Sequence, residues 1–193
     1  MSLTLPISMN HEKVHRSVPV QPDLVRSCLA GDARAQRLFF EQHHSLILGI
    51  TSRYAVDQQQ AKDFLNQTFF KAFRSLDQFR GEGEIGGWLR TVCVNVCLAQ
   101  LRTRRNQPYA ELPAMEQERS EAPVALRQLA MEDLVNLIQQ LPPVPRAVFN
   151  LTAVEGMSHK DAALRLGMKE ATSRYHLRQA RLRLQAAVNN QNR

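Results

Sequence analysis

The sequence predicts an all-α protein of two small helical domains, and three observations carry that prediction. Apolar residues recur at three- and four-residue intervals in one segment after another, no stretch alternates for long with the period of two that a strand needs, and capping residues stand just ahead of several periodic runs. The first run is short: after Pro22, Asp23 to Ala30 reads as a helix closed by Gly31. Asp32 is then a candidate N-cap for a longer helix with apolar positions Leu38, Phe39, Leu46, Ile47, Ile50 and Tyr54. Asp57 caps the next, where Ala61, Phe64, Leu65, Thr68, Phe69, Ala72 and Phe73 share a face. A glycine-crowded break from Asp77 to Gly87 precedes the stripe Trp88, Leu89, Val92, Cys93, Val96, Cys97 and Leu101, which runs out into Arg102, Arg104 and Arg105. Further on, Leu126, Leu129, Ala130, Leu134, Leu137, Ile138 and Leu141 mark a helix stopped by Pro142 and Pro143. Another runs from about Pro145 to Val154 and ends at Gly156.

Charge locates the domain boundaries. The 193 residues carry 25 Lys and Arg against 18 Asp and Glu, a formal charge of +7. Residues 20–105 and 128–193 each hold +4, while 106–127 hold −2 together with Pro108, Pro113 and Pro123 and no clear periodicity. That division reads as two basic domains on a flexible linker, preceded by an extension, 1–19, expected to be disordered. A basic balance favours an anionic partner, although the solvated surface of an enzyme would give a similar modest excess. The sequence contains no uninterrupted apolar run of membrane-spanning length and no secretory-signal pattern, and its three cysteines form no disulfide framework, so a soluble cytoplasmic protein is expected.

The sharpest local signal lies at residues 158–185. Ser158 is a good N-cap for a short helix, His159 to Leu166, and Ala163 stands four residues ahead of Gly167, with a second helix from about Glu170. A small residue lets two helices cross closely, and glycine permits the left-handed turn between them: this is helix-turn-helix spacing. The second helix carries Arg174, Tyr175, His176, Arg178, Arg181 and Arg183, with Leu177, Ala180 and Leu184 left for the interior. Cations toward a groove and apolar residues toward a support are what a recognition helix requires, whereas an ordinary helical hairpin would scatter its cations. Lys169 stands where a capping Ser or Thr would serve better, and Ser173 where an apolar contact is usual.

Taken in order, these pieces resemble a bacterial RNA polymerase sigma factor of the extracytoplasmic-function group. The resemblance runs from about Pro22 to Gln185. It rests on Gly31-Asp32, Ala61 to Phe69, Ser75 to Gly81, Trp88-Leu89 and Asn95 to Arg105, then on Leu141-Pro142, Pro145-Arg146, Glu155 to Ser158 and the helix-turn-helix through Leu184. The chain departs from the usual family pattern at Lys62, Asn66, Ala99 and Ser173, where Glu, Gln, Asp and Val are usual.

The resemblance implies that residues 20–105 bind core RNA polymerase and the −10 promoter element, and residues 128–193 the −35 element. Asp63, Asn66 and Gln67 would contact polymerase, with Phe64, Leu65 and Phe69 read as core. Asp77, Gln78, Phe79 and Arg80 would form the −10 specificity loop, with Asn95 and Arg102 beside it and Arg104 and Arg105 on phosphates. Trp88 has the chemistry to stack on a base, but core support is the better reading. Arg174, Tyr175, His176, Arg178 and Thr172 would enter the −35 major groove, while Lys160 and Lys169 touch phosphate. The acidic linker is either a nucleic-acid mimic threading the polymerase or a solvated tether. An anti-sigma factor is an expected further partner.

Other chemistry is thin. The glycine loop has no Gly-Lys-Ser/Thr and makes no P-loop. Cys93 and Cys97 sit i, i+4 in an apolar stripe and read as packing, His43 and His44 face different ways, and no nucleophile with its base is evident, so no metal, cofactor or enzymatic activity is expected. A conventional helix-turn-helix regulator that binds duplex DNA alone, or a helical adaptor with merely solvated basic faces, remain the alternatives.

Overall fold

Three side chains start helices by accepting hydrogen bonds from otherwise unpaired backbone N–H groups. Asp32 accepts from the N–H groups of Arg34 (2.8 Å) and Ala35 (3.4 Å), Asp57 from Gln60 (2.7 Å), and Ser158 from Asp161 (3.1 Å). All three are the caps that the sequence predicts. The computed structural model describes residues 22–79, 84–104 and 131–191. The 1–19 extension and the 106–127 linker lie outside the described residues.

Four helices form the first module: α1 (Pro22–Leu29), α2 (Ala33–Tyr54), α3 (Gln58–Arg74) and α4 (Ile85–Arg104), with a 3-10 turn at Leu76–Gln78. Gly31 makes the sharp turn from α1 to α2 at φ +81°, a conformation glycine adopts without penalty. α2, α3 and α4 pack pairwise. α2 buries Ala35, Phe39, His43, Ile47, Ile50, Thr51 and Tyr54, a stripe at helical spacing. Leu38, expected on that stripe, lies one residue off it and is 44% exposed. Aromatic contacts knit the module, with Phe40 and Phe69 ring centroids 4.5 Å apart and Phe39 and Phe73 5.6 Å apart.

The second module holds α5 (Met131–Gln139), α6 (Pro143–Phe149), α7 (His159–Leu166) and α8 (Glu170–Gln191). α6 begins two residues earlier than expected, because a proline in the first turn forfeits only an N–H that has no helical partner. The expected straight run to Val154 instead widens into a π-helical turn, Asn150–Val154, closed by the Glu155 N–H on the Asn150 carbonyl at 2.8 Å. α6 packs against α8, and α5 and α6 both pack against α2. The two modules are therefore in direct contact. Their buried apolar residues form one continuous cluster, from Cys28 to Val188.

Candidate nucleic-acid interface

The helix-turn-helix is built at both ends of α7. Ser158 accepts from the Asp161 N–H while its hydroxyl donates to the Asp161 carboxylate at 2.6 Å, which fixes the orientation of the capping hydroxyl. At the other end Gly167 takes the left-handed conformation (φ 62°, ψ 45°), and the Met168 N–H reaches the Ala163 carbonyl at 3.0 Å. Ala162, Ala163 and Leu166 are buried, as are Leu177, Ala180, Leu184 and Val188 of α8. That apolar seam fixes which side of α8 faces outward.

On the outer side Lys160, Lys169 and Arg174 are exposed, and Thr172, Tyr175 and Arg178 are half-buried. Arg174 is held by Glu170 one turn back, at 2.6 Å. His176 is a correction: it is 8% exposed and faces the interior, so it is not presented to a groove. Helical geometry explains the difference, since position 176 is three residues after the buried Ser173 and four before the buried Ala180, and so falls at the edge of the buried side of the helix. Burial, and then the nearby Arg183, hold its imidazole below the usual range. Ser173, where an apolar residue is usual, is fully buried and satisfied: its hydroxyl lies 2.9 Å from His159 Nδ1, joining the two helices of the motif. His159 is itself held below the usual imidazole range, first by burial and then by Arg174.

In the first module Asp63, Asn66 and Gln67 are all exposed on α3, opposite its buried stripe of Ala61, Phe64, Leu65, Thr68, Phe69 and Ala72. Gln59 donates to Asp63 at 3.2 Å, and Gln100 of α4 donates to Gln67 at 3.2 Å. Sequence reasoning missed Phe70, which is 63% exposed beside Asn66 and Gln67, with the Arg74 guanidinium 5.6 Å from its ring centre. Its position off the stripe was the available signal. Asp77 and Gln78 are exposed on the 3-10 turn, and Asn95 is exposed on α4. Phe79 is half-buried against Trp88, ring centroids 5.9 Å apart, so Trp88 supports the turn that carries it. Arg102 and Arg104 fall on the last turn of α4, whereas Arg80 and Arg105 lie outside the described residues.

Between the modules lies a polar seam that the sequence did not reveal. Glu155, its side chain 8% exposed, accepts from Arg53 of α2 (3.2 Å) and Arg90 of α4 (2.8 Å). Arg146 is 4% exposed and donates to the carbonyls of Tyr54 (3.2 Å) and Ala55 (2.6 Å) across the seam, and to Leu141 and Gln139 (2.6 Å each) on its own side. Asn150 donates to the Arg53 carbonyl at 2.8 Å, and Gln139 to that of Ser52 at 3.0 Å.

The chain is 30% identical to the RNA polymerase sigma-H factor of Pseudomonas aeruginosa, covering 86% of this chain and 92% of the relative. It is 27% identical to the ECF RNA polymerase sigma-E factor of Escherichia coli, covering 82% and 88%. Among solved structures it is similar to the sigma factor RpoE in complex with the anti-sigma factor NepR from Bartonella quintana (22% identity, 80% and 98% covered, TM-score 0.48). It is similar also to CnrH in complex with the cytosolic domain of CnrY (21% identity, 87% and 96% covered, TM-score 0.46). A helix-turn-helix module joined to a second basic helical module defines a DNA-binding transcription factor. Family models for sigma-70 region 2 and sigma-70 region 4 match residues 39–107 and 131–184. The chain belongs to the RNA polymerase sigma factors, in the extracytoplasmic-function group, and so is a transcription-initiation factor of a family whose members are not themselves catalysts.

Proposed function

We propose that residues 20–105 and 128–193 divide the work of initiation, with 106–127 as the tether. The outer face of α3, through Asp63, Asn66 and Gln67, docks on core RNA polymerase. Asp77, Gln78, Phe79 and Arg80 receive an unstacked −10 base, whose extrusion costs a few kcal/mol that a fitted pocket must offset. Asn95 and Arg102 line the adjacent helix, and Arg104 and Arg105 hold phosphates, which position the strand without reading it. In the second module Arg174, Tyr175, Arg178 and Thr172 read the −35 major groove while Lys160 and Lys169 contact its backbone. His176 drops out of that set because it is buried.

The chain supplies specificity and all catalysis stays with the polymerase. Its place of work is the cytoplasm, and an anti-sigma factor is a further partner. Among the described residues no helix is long and apolar enough to cross a membrane. The observation that carries this reading is the helix-turn-helix whose second helix turns Arg174, Tyr175 and Arg178 outward while its apolar side is buried.

Co-purification with core polymerase, followed by run-off transcription across a promoter library, tests it. The expected result is a complex that initiates on a subset of templates. Tight binding of the chain alone to duplex DNA, with no added initiation, would replace it with an autonomous regulator.

A further inference from the structure

We infer that the His159–Ser173 pair is a proton-accepting site that ties −35 binding to pH, with His159 poised for a backbone phosphate and Ser173 as its positioning residue. This deepens the −35 reading proposed above and rests on it.

Ser173 stands where an apolar residue is usual. The buried residues of α7 are Ala162, Ala163 and Leu166, an apolar set that suits such a residue opposite. Ser173 instead places a fully buried hydroxyl 2.9 Å from Nδ1 of the half-buried His159. A hydroxyl both donates and accepts, so it serves either state of the ring. It donates to Nδ1 of the neutral imidazole and, after rotating, accepts from Nδ1–H of the imidazolium. Valine or alanine could do neither, and the inward N–H of a charged ring would then go unmet. Ser173 therefore lets a half-buried histidine take up a proton without breaking the junction between α7 and α8.

The charges around the ring decide when that proton arrives. From α8, Arg174, Arg181 and Glu170 act on it. On its own helix Lys160 and Asp161 follow directly, and Glu155, ahead of α7, is already paired with Arg53 and Arg90. Burial first, and then the two arginines, hold the imidazole below its usual range against the opposite pull of Glu170, itself bonded to Arg174 at 2.6 Å. At pH 7 the ring of the free chain is thus mostly neutral. DNA reverses the balance. Lys160 and Arg174 are both exposed, so a duplex seated against them brings phosphate charge to the group of residues that surrounds His159. A nearby opposite charge favours the charged form of a histidine. The complex then holds one more proton than the free chain, and by linkage its affinity rises as pH falls between the free and bound values.

The test follows binding of the polymerase complex to promoter duplex by fluorescence anisotropy, from about pH 8 to about pH 6 at constant ionic strength. The wild type should gain up to about tenfold in affinity per pH unit of acidification within that window, the limit for one proton. His159→Gln keeps a hydrogen-bonding side chain but takes up no proton, and should remove the gain. Ser173→Ala should shrink it, because the imidazolium then lacks its inward acceptor. Replacing the −35 phosphates one at a time by neutral methylphosphonates should abolish the gain where His159 makes its contact, an arm that needs no variant. Circular dichroism with thermal melting checks that each variant is folded. A wild type without the gain overturns the inference, as does a folded His159→Gln complex that keeps it or a gain that survives every methylphosphonate. An undiminished gain in folded Ser173→Ala overturns the positioning role of Ser173. A complex that ignores the −35 sequence at every pH overturns the functional reading as well. Sequence-dependent binding with no pH slope removes the proton coupling alone.

Discussion

Arg174→Ala separates base reading from backbone contact at the proposed −35 face. In the free chain Arg174 pairs with Glu170 at 2.6 Å, and the two side chains are 53% and 44% exposed. Such a surface pair is worth about 0–1 kcal/mol, so releasing it onto DNA takes little from the gain. A bidentate contact to one base contributes about 1–3 kcal/mol of discrimination. The variant complex should thus lose roughly 5- to 150-fold in affinity for the preferred −35 sequence. It should lose much less on templates already altered at the base that Arg174 reads. Fluorescence anisotropy of the polymerase complex on single-base −35 variants measures this directly. An equal loss on every template, with the salt dependence falling by about one ion, would refute base reading and make Arg174 a phosphate contact. Glu170→Ala, which frees the guanidinium, should leave affinity unchanged or slightly raised.

Other parts of the structure fix three further outcomes. Gly167→Ala forces a side chain into the left-handed conformation between α7 and α8 and should destabilise the protein by about 1–2 kcal/mol, a fall of several degrees in melting temperature. His43 and His176 are buried with imidazoles held below the usual range, so between their folded values and about pH 6.5 the unfolded chain binds more protons. Stability should therefore fall on acidification through that window, by at most about 1.4 kcal/mol per pH unit for each histidine, and a folded His176→Gln variant should show a shallower fall in thermal melts. The hydrogen bond between the Cys93 and Cys97 side chains holds the Cys93 thiol below the ordinary range and Cys97 well above it, yet both are buried. Neither should react with a thiol reagent until the chain is unfolded, and rapid modification in native buffer would contradict the packing described.

What the sequence made legible was local. Asp32, Asp57 and Ser158 were recognisable because a cap needs only its own helix, and Gly167 because a left-handed turn needs only its neighbours. The buried side of α8 was legible from Leu177, Ala180 and Leu184, but His176 was not, since its chemistry invites a ligand and only packing tells where it points. Arg146 and Glu155 were opaque for a different reason. Their partners are 91 and 102 residues away, at Ala55 and Arg53, and no periodicity links them.

The wide turn at Asn150–Val154 makes the spacing of this stretch unforgiving. Each residue added to or removed from a helix rotates the downstream chain by about 100°. One residue more there, beyond the extra one that the wide turn already takes up, would swing Glu155 away from both guanidinium groups, with composition and charge almost unaltered. An insertion at this point is thus a sharper instrument than substitutions for uncoupling the halves of the molecule.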